Sequence, residues 1–292
     1  MFVQQPIPFI NDEHRGVFER TKHLPGWQHP GDTNKLYELG YHYGDRILEI
    51  GVYGGRSAVV ELLGALANPE RRQPPQFVGV DLDVEAYLRS LKSLNEFGLT
   101  QHAAIYLGTL QDLYREYSWD PTMVFVDGDH SYEGAKSDLN LLRTIVRPGT
   151  PVICHDYTNG DNDTGAMGVR RAIDEFVQEG HATFEGIYGV CAMLKIHGVG
   201  PLQSGANSGL TFAELQQKIT HRALTMLTQL IGDLSQARDY AEGKLAKSKE
   251  SNSVLRTSYE KLKSRHESLK TQRAQHGGSS LGKFLGKLGL KK

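Results

Sequence analysis

The sequence predicts an α/β fold built on a parallel sheet, followed by a helical extension. Three observations carry this reading. From Asp45 to His197, short apolar runs alternate with helical stretches, the pattern of βαβ units closing a parallel sheet. Two of those runs stop in acids, at VGVDLD and VFVDGDH, and one stops in glycines, at ILEIGVYGG. After a Gly/Ser/Pro-rich stretch, apolar residues recur at every seventh position, as in a coiled coil.

The elements follow in order. Residues 1–44 hold Pro6, Pro8, Pro25 and Pro30 and one helical pattern, NKLYELGYHYG. They are expected to cap what comes next. Strands are expected in RILEIGV (46–52), QFVGVDLD (76–83), AAIYLG (103–108), TMVFVDGDH (122–130) and TPVICHDY (150–157). Helices are expected over 57–67, 84–97, 131–145 and 168–180. TFEGIYG and VCAMLKIH lie one turn apart and read as an antiparallel hairpin at the sheet edge. The central domain is therefore 45–198, with a linker over 199–210, a helical segment over 211–276 and a tail over 277–292.

Composition excludes several classes. The chain has 292 residues, 39% of them apolar and 23% charged, which is ordinary for a packed domain and not for a disordered chain. No apolar run approaches the ~20 residues that cross a bilayer. The N-terminus lacks the basic and apolar regions of a signal peptide. Cys154 and Cys191 are the two cysteines, too few for a disulfide framework. A reducing, cytoplasmic location is the expectation. The net charge of −1 hides two halves of opposite sign. Residues 1–210 carry 17 Lys+Arg against 27 Asp+Glu, and residues 211–292 carry 16 against 7. The acidic part is not expected to bind nucleic acid, which needs clustered cations.

The extension has two parts. Leu227, Leu234, Ala241, Ser248, Leu255, Leu262 and Leu269 form one heptad row, and Ile231, Arg238, Leu245, Asn252, Tyr259 and His266 form its partner. A homo-oligomeric coiled coil over 211–276 is expected, with a single solvated helix as the alternative. Gly232 and Gly243 weaken the helix by about 1 kcal/mol each relative to alanine. In SLGKFLGKLGLKK (280–292), Leu281, Phe284, Leu285 and Leu288 share one face, flanked by Lys283, Lys287, Lys291 and Lys292. This is a basic amphipathic helix suited to an anionic membrane surface, or else a solubilising tail. Oligomerisation would multiply its grip.

The chemistry gathers at the strand ends. Glu49-Ile-Gly51-Val-Tyr-Gly-Gly55-Arg-Ser57 lies between a strand and a helix. Its glycines allow a tight turn and close approach to a ligand. Its spacing is not that of a dinucleotide loop, and Glu49 would repel a diphosphate. An acid there suits an amine-bearing or cationic ligand such as S-adenosylmethionine. Asp81, ending the next strand, can accept hydrogen bonds from ribose hydroxyls, with Leu82 beside it and Asp83 as the fallback. Gly108-Thr109-Leu110 ends the third strand, where an adenine edge would lie. Asp127, His155 and Asp156 could converge on one divalent cation, Mg²⁺ or Mn²⁺. His130 could take a proton from a substrate hydroxyl. More ordinary roles remain open for two of these residues: Asp129 capping the following helix, and His155 hydrogen-bonding a loop.

Together, ILEIGVYGGRS, VGVDLD, VFVDGDHSYEGAKSDL and PGTPVICHDY resemble the class I S-adenosylmethionine-dependent methyltransferases. The nearest group is the O-methyltransferase-like branch with D-G-x-H-S-Y after the fourth strand. The resemblance spans about residues 40–197. It implies a Rossmann-like seven-stranded sheet ordered 3-2-1-4-5-7-6, with the last strand antiparallel. It implies that Glu49, Gly51, Gly55 and Ser57 line the methionine end of the cofactor, that Asp81 binds ribose, and that Thr109 and Leu110 flank adenine. Metal-dependent relatives, including catechol and macrolide-sugar O-methyltransferases, place metal acids where Asp127, His155 and Asp156 stand, and a general base where His130 stands. This sequence departs from them at His155, where they carry an acid. The extension resembles that of chain-terminating methyltransferases of bacterial surface polysaccharide, which pair a coiled coil with a membrane-binding C-terminus. The expectation is O-methylation of a sugar hydroxyl on a glycan or lipid-linked glycan, at the inner membrane face. Two alternatives are a small-molecule O-methyltransferase of secondary metabolism and a non-catalytic scaffold in glycan synthesis.

Overall fold

The computed structural model describes residue 4, residues 6–200 and residues 209–276. Two compact units divide between Leu227 and Thr228. The first begins with helices α1 (Asp12–Thr21) and α2 (Pro30–Tyr43), then alternates β1 (Arg46–Ile50), α3 (Arg56–Ala67), β2 (Gln76–Asp81), α4 (Val84–Glu96), β3 (Ala103–Leu107), α5 (Leu110–Glu116), β4 (Met123–Val126), α6 (Tyr132–Ile145) and β5 (Pro151–Cys154). A short helix, α7 (Asp161–Thr164), and α8 (Val169–Gln178) lead to β6 (Ala182–Tyr188) and β7 (Cys191–Ile196). Helix α9 (Phe212–His276) follows.

The sheet order is β3-β2-β1-β4-β5-β7-β6. The first five strands in that order run parallel, and β7 pairs antiparallel with both β5 and β6. The order implied by the resemblance is the order found. In the hairpin, β6 takes the edge and β7 lies between it and β5. The central strands read as nearly continuous apolar runs because both faces are covered. One core joins α5, α6, α8 and the start of α9 to the sheet, and the other joins α1 through α4. Along β1, Leu48 and Ile50 enter the first core and Ile47 the second. By the same alternation, Glu49 faces the second.

The expected cap of residues 1–44 contains one helix the sequence reading missed. Asn11 caps α1 by accepting the His14 N–H. The start of α2 is a reciprocal box: the His29 side chain accepts from Gly31, and Asp32 accepts the His29 N–H at 2.7 Å.

The first unit extends past the expected linker. Leu215, Ile219 and Ala223 of α9 are buried in the domain cores. In the second unit, the residues of α9 from 228 to 268 are exposed, Ser235 alone being half-buried. They include Leu230, Ile231, Leu234, Tyr240, Leu245, Val254, Leu255, Tyr259 and Leu262. The amphipathic stretch 280–292 and linker residues 201–208 lie outside the described residues. No helix among the described residues is long and apolar enough to cross a membrane.

Candidate active site

A cavity of about 870 Å³ opens at the carboxyl ends of β1, β2, β4 and β5, the edge where open α/β sheets take ligands. Its floor is the turn from β1 to α3. Gly51 has φ +83, and a Cβ there would collide with the Asp127 carbonyl oxygen. The turn is glycine because it passes hard against the end of β4. Gly55 is the N-cap of α3 at φ +75 with no side-chain cap, so the first N–H groups of that helix are not taken by a capping side chain.

Asp81 organises the second wall. Its Oδ2 accepts the N–H groups of Val52 at 3.0 Å and Tyr53 at 2.9 Å, and its Oδ1 accepts from Asp83. Asp83 is the N-cap of α4 and does not line the cavity. The structure thus separates the two acids: Asp81 is the ligand-facing one. Thr109 caps α5 through its Oγ1 and lies with Leu82 and Leu110 on the cavity wall.

The third wall carries the acids and imidazoles. His130 Nε2 lies 3.2 Å from Asp127 Oδ1 and 3.5 Å from Asp156 Oδ2. The Asp127 contact is the main reason the His130 pKa is raised, with burial opposing it. Asp156 adopts the left-handed conformation (φ 58) that aspartate tolerates better than most residues. His155 Nδ1 lies 3.2 Å from Asp127 Oδ1 and 3.5 Å from Asp156 Oδ2, and its Nε2 lies 3.5 Å from Asp32 Oδ2. Burial disfavours charge on His155, yet Asp127, Asp156 and Asp32 together push its pKa up to about 12. Burial likewise opposes ionisation of Asp156, and hydrogen bonds from His155 and Asn159 hold it down to about 2. Asp129 accepts the Ser131 N–H, but the N-cap of α6 is Ser131.

Asp127, His130 and Asp156 each offer one donor atom within 4.8 Å of the others, a set that fits a divalent cation. His155 adjoins them, and any imidazole that joins a metal must first give up a proton.

Of the residues singled out from sequence, Gly51, Ser57, Asp81, Leu82, Thr109, Leu110, Asp127, His130, His155 and Asp156 line this one cavity. Glu49 and Gly55 do not. Glu49 is fully buried behind the turn, where Ser57 Oγ donates to its Oε1 and its Oε2 has no partner. Four residues beyond Ser57, Glu61 is also fully buried, with both oxygens unpartnered. Burial raises both carboxyls well above the ordinary range; Asp127 and Asp81 add to the rise at Glu49, and Glu49 adds to the rise at Glu61.

Sequence reasoning missed Pro25, Gly26, Trp27 and Gln28, which wall the cavity from before α2, and Asn159 beyond β5. A tryptophan directly after Pro-Gly, outside any periodic element, was the available signal.

Residues 48–157 match the family model described as "Methyltransferase domain". The fold is shared with solved structures, two of them described as methyltransferases. An O-methyltransferase from Bacillus cereus in complex with SAH superposes with a TM-score of 0.51 at 19% identity, covering 65% of this chain and 92% of its own. Cofactor-bound Rv0187 from MTB gives 0.52 at 16%, covering 67% and 100%. An SAH-bound methyltransferase of Podospora anserina gives 0.50 at 13%, covering 66% and 90%. Residues 48–157 thus match a methyltransferase domain, and the seven-stranded sheet that holds them has the fold of these solved structures.

Proposed function

We propose that this chain moves a methyl group from S-adenosylmethionine to a hydroxyl, and that the acceptor is a sugar on a glycan or lipid-linked glycan. The observation that carries the reading is the position of His130 Nε2, 3.2 Å from Asp127 and 3.5 Å from Asp156, on the wall of the cavity that Gly51 and Asp81 line. A base and a cofactor-binding turn share one space.

The chemistry is an in-line displacement. The acceptor oxygen forms a bond to the methyl carbon while the carbon–sulfur bond breaks, and S-adenosylhomocysteine leaves. The hydroxyl proton passes to the His130 imidazole, whose Nε2 faces the Asp127 and Asp156 carboxylates. Asp127 and Asp156 hold that imidazole in place and stabilise it once protonated. The turn at Gly51 and the Asp81 carboxylate fix the donor, so much of the rate comes from alignment. A divalent cation at Asp127 and Asp156 would supply Lewis-acid stabilisation of the forming alkoxide.

The extension fits work at a surface. A helix gains most of its stability from packing an apolar face, and the 228–268 segment carries its large apolar side chains exposed. Its heptad rows make a second copy of this chain the natural cover. The basic tail at 280–292 would then meet anionic lipid in multiple copies.

The test is incubation of full-length protein with radiolabelled S-adenosylmethionine and a panel of glycan acceptors, with and without EDTA. Label entering a sugar hydroxyl supports the proposal. Transfer to small catechols alone rejects the sugar assignment, and EDTA-insensitive transfer rejects the cation.

A further inference from the structure

We infer that Trp27 is the acceptor platform, and that it selects a pyranose ring by seating the ring's C–H face on the indole. The inference rests on the methyl-transfer reading above and names its substrate class.

Trp27 is 65% exposed while lining the cavity. An indole exposed on the wall of a cavity offers a flat apolar face to a ligand. Its place is fixed from both sides. Before it, Pro25 packs against Gly54 of the cofactor turn, where any side chain would clash, and the Gly26 carbonyl accepts from Arg56 Nη1 at 3.2 Å. After it, Gln28 is buried and accepts from Thr33 Oγ1 at 3.1 Å, and the His29–Asp32 box then starts α2. The strap is thus built as a rigid shelf. From that shelf the indole stands 6.0 Å from the His155 ring, at 69° to it. It therefore overlooks the imidazole and carboxylate cluster.

The shape of the site decides between ring types. A planar aromatic acceptor is held best between two apolar faces. Among the described residues lining this cavity, Tyr53 is the other carbocyclic aromatic, and the Arg89 guanidinium lies over its ring at 4.8 Å. The His155 ring is the lining group placed beside the indole, and Gln28, Asp156 and Asn159 line the same cavity. One apolar face beneath and polar groups around the rim match a pyranose, with an apolar C–H face and hydroxyls at its edge.

The test uses fluorescence of the full-length protein saturated with S-adenosylhomocysteine. The chain has two tryptophans, Trp27 and Trp119, so Trp119→Phe leaves Trp27 as the sole reporter. Methyl α-D-mannopyranoside and methyl β-D-galactopyranoside are the sugar probes, and catechol is the aromatic one. At least one pyranoside should shift or quench the emission saturably, and Trp27→Phe in the wild-type background should abolish the change. With a working acceptor, Trp27→Ala should raise KM about tenfold or more, with kcat and S-adenosylhomocysteine affinity little changed, and Trp27→Phe should restore most of the loss. A response to catechol alone overturns the pyranose assignment. Silence to all three probes while S-adenosylhomocysteine still binds overturns the platform and leaves the methyltransferase reading standing. Failure to bind S-adenosylhomocysteine overturns that reading itself.

Discussion

The Asp81 carboxylate accepts the backbone N–H of Tyr53 at 2.9 Å, tying the end of β2 to a loop residue held at φ 44. One acid therefore shapes the glycine turn and lines the cavity. Hydrogen bonds to a charged group are worth about 1.5–3 kcal/mol each. Asp81→Ala should therefore weaken S-adenosylhomocysteine binding by about 10–100-fold. Isothermal titration measures this. Unchanged affinity would remove Asp81 from the cofactor site.

His130 should matter for rate and not for cofactor affinity. It stands among Asp127 and Asp156 and makes no bond to the glycine turn. Replacing a general base lowers turnover by roughly 10²–10⁴. His130→Ala should show such a loss in single-turnover methyl transfer, with S-adenosylhomocysteine affinity held near that of the native protein. A variant that keeps native turnover would show that the proton leaves by another path.

Much of this site was legible because each part sits at a strand end marked by its own pattern. Nearly continuous apolar runs give way to glycine after Ile50, and to acid at Asp81 and Asp127. Such switches locate the ligand edge without knowing the pairing. Two kinds of feature were hidden. Trp27 and Asp32 reach the site from a segment rich in proline with little periodicity, so nothing local ties them to β5 more than a hundred residues later. Glu61 lies inside an apolar helix, RSAVVELLGALA, where a single acid reads as a solvent-facing residue. Only the packing of α3 against the sheet shows it facing inward. The start of α9 reads as part of the extension because it follows the Gly/Ser/Pro-rich stretch and turns helical and polar, yet Leu215 and Ile219 belong to the domain core.

Glu49 and Glu61 give the domain a pH-dependent weakness. Burial raises both carboxyls in the folded state, so the folded protein keeps protons that the unfolded chain releases. Their contribution to stability is intact below the ordinary glutamate value of 4.5 and is lost as pH rises through the raised value. Glu61→Gln keeps the shape and removes one such group. It should match the native protein below about pH 4.5 and become the more stable of the two as pH rises, diverging by at most ~1.4 kcal/mol per pH unit. Denaturation midpoints measured across pH test this. A constant offset at every pH would mean that Glu61 does not titrate with folding.

The two thiols should be silent. Cys154 and Cys191 are buried. Burial pushes the Cys154 pKa up to about 12 and holds Cys191 well above its ordinary value, with Asp32 adding to the latter. Thiolate is the reactive form. Neither residue should be alkylated by iodoacetamide at pH 8 until the protein is unfolded. Mass spectrometry of a native-state labelling reaction decides it, and fast modification of either cysteine would contradict the packing described.

Where the chain is cut should separate the domain from its extension. Leu215, Ile219 and Ala223 are buried against the sheet. Gln216 donates to the carbonyls of Thr100 and Ala103, and Arg222 pairs with Glu116 at 3.1 Å and stacks 4.3 Å from the centre of Tyr106. Stopping at residue 210 removes all of these. Two large apolar side chains at about 1.5–3 kcal/mol each already amount to a sizeable share of a domain's net stability. Stopping after Leu227 removes none of them, since the first compact unit ends there. The 1–227 protein should therefore melt within the ~2–4 °C that 1 kcal/mol represents for a domain of this size, and should keep methyl transfer to a soluble acceptor. The 1–210 protein should melt far lower or fail to fold. Equal stability of the two truncations would place the buried turns of α9 outside the folded unit. Loss of turnover in the well-folded 1–227 protein would instead give residues 228–292 a direct part in the reaction.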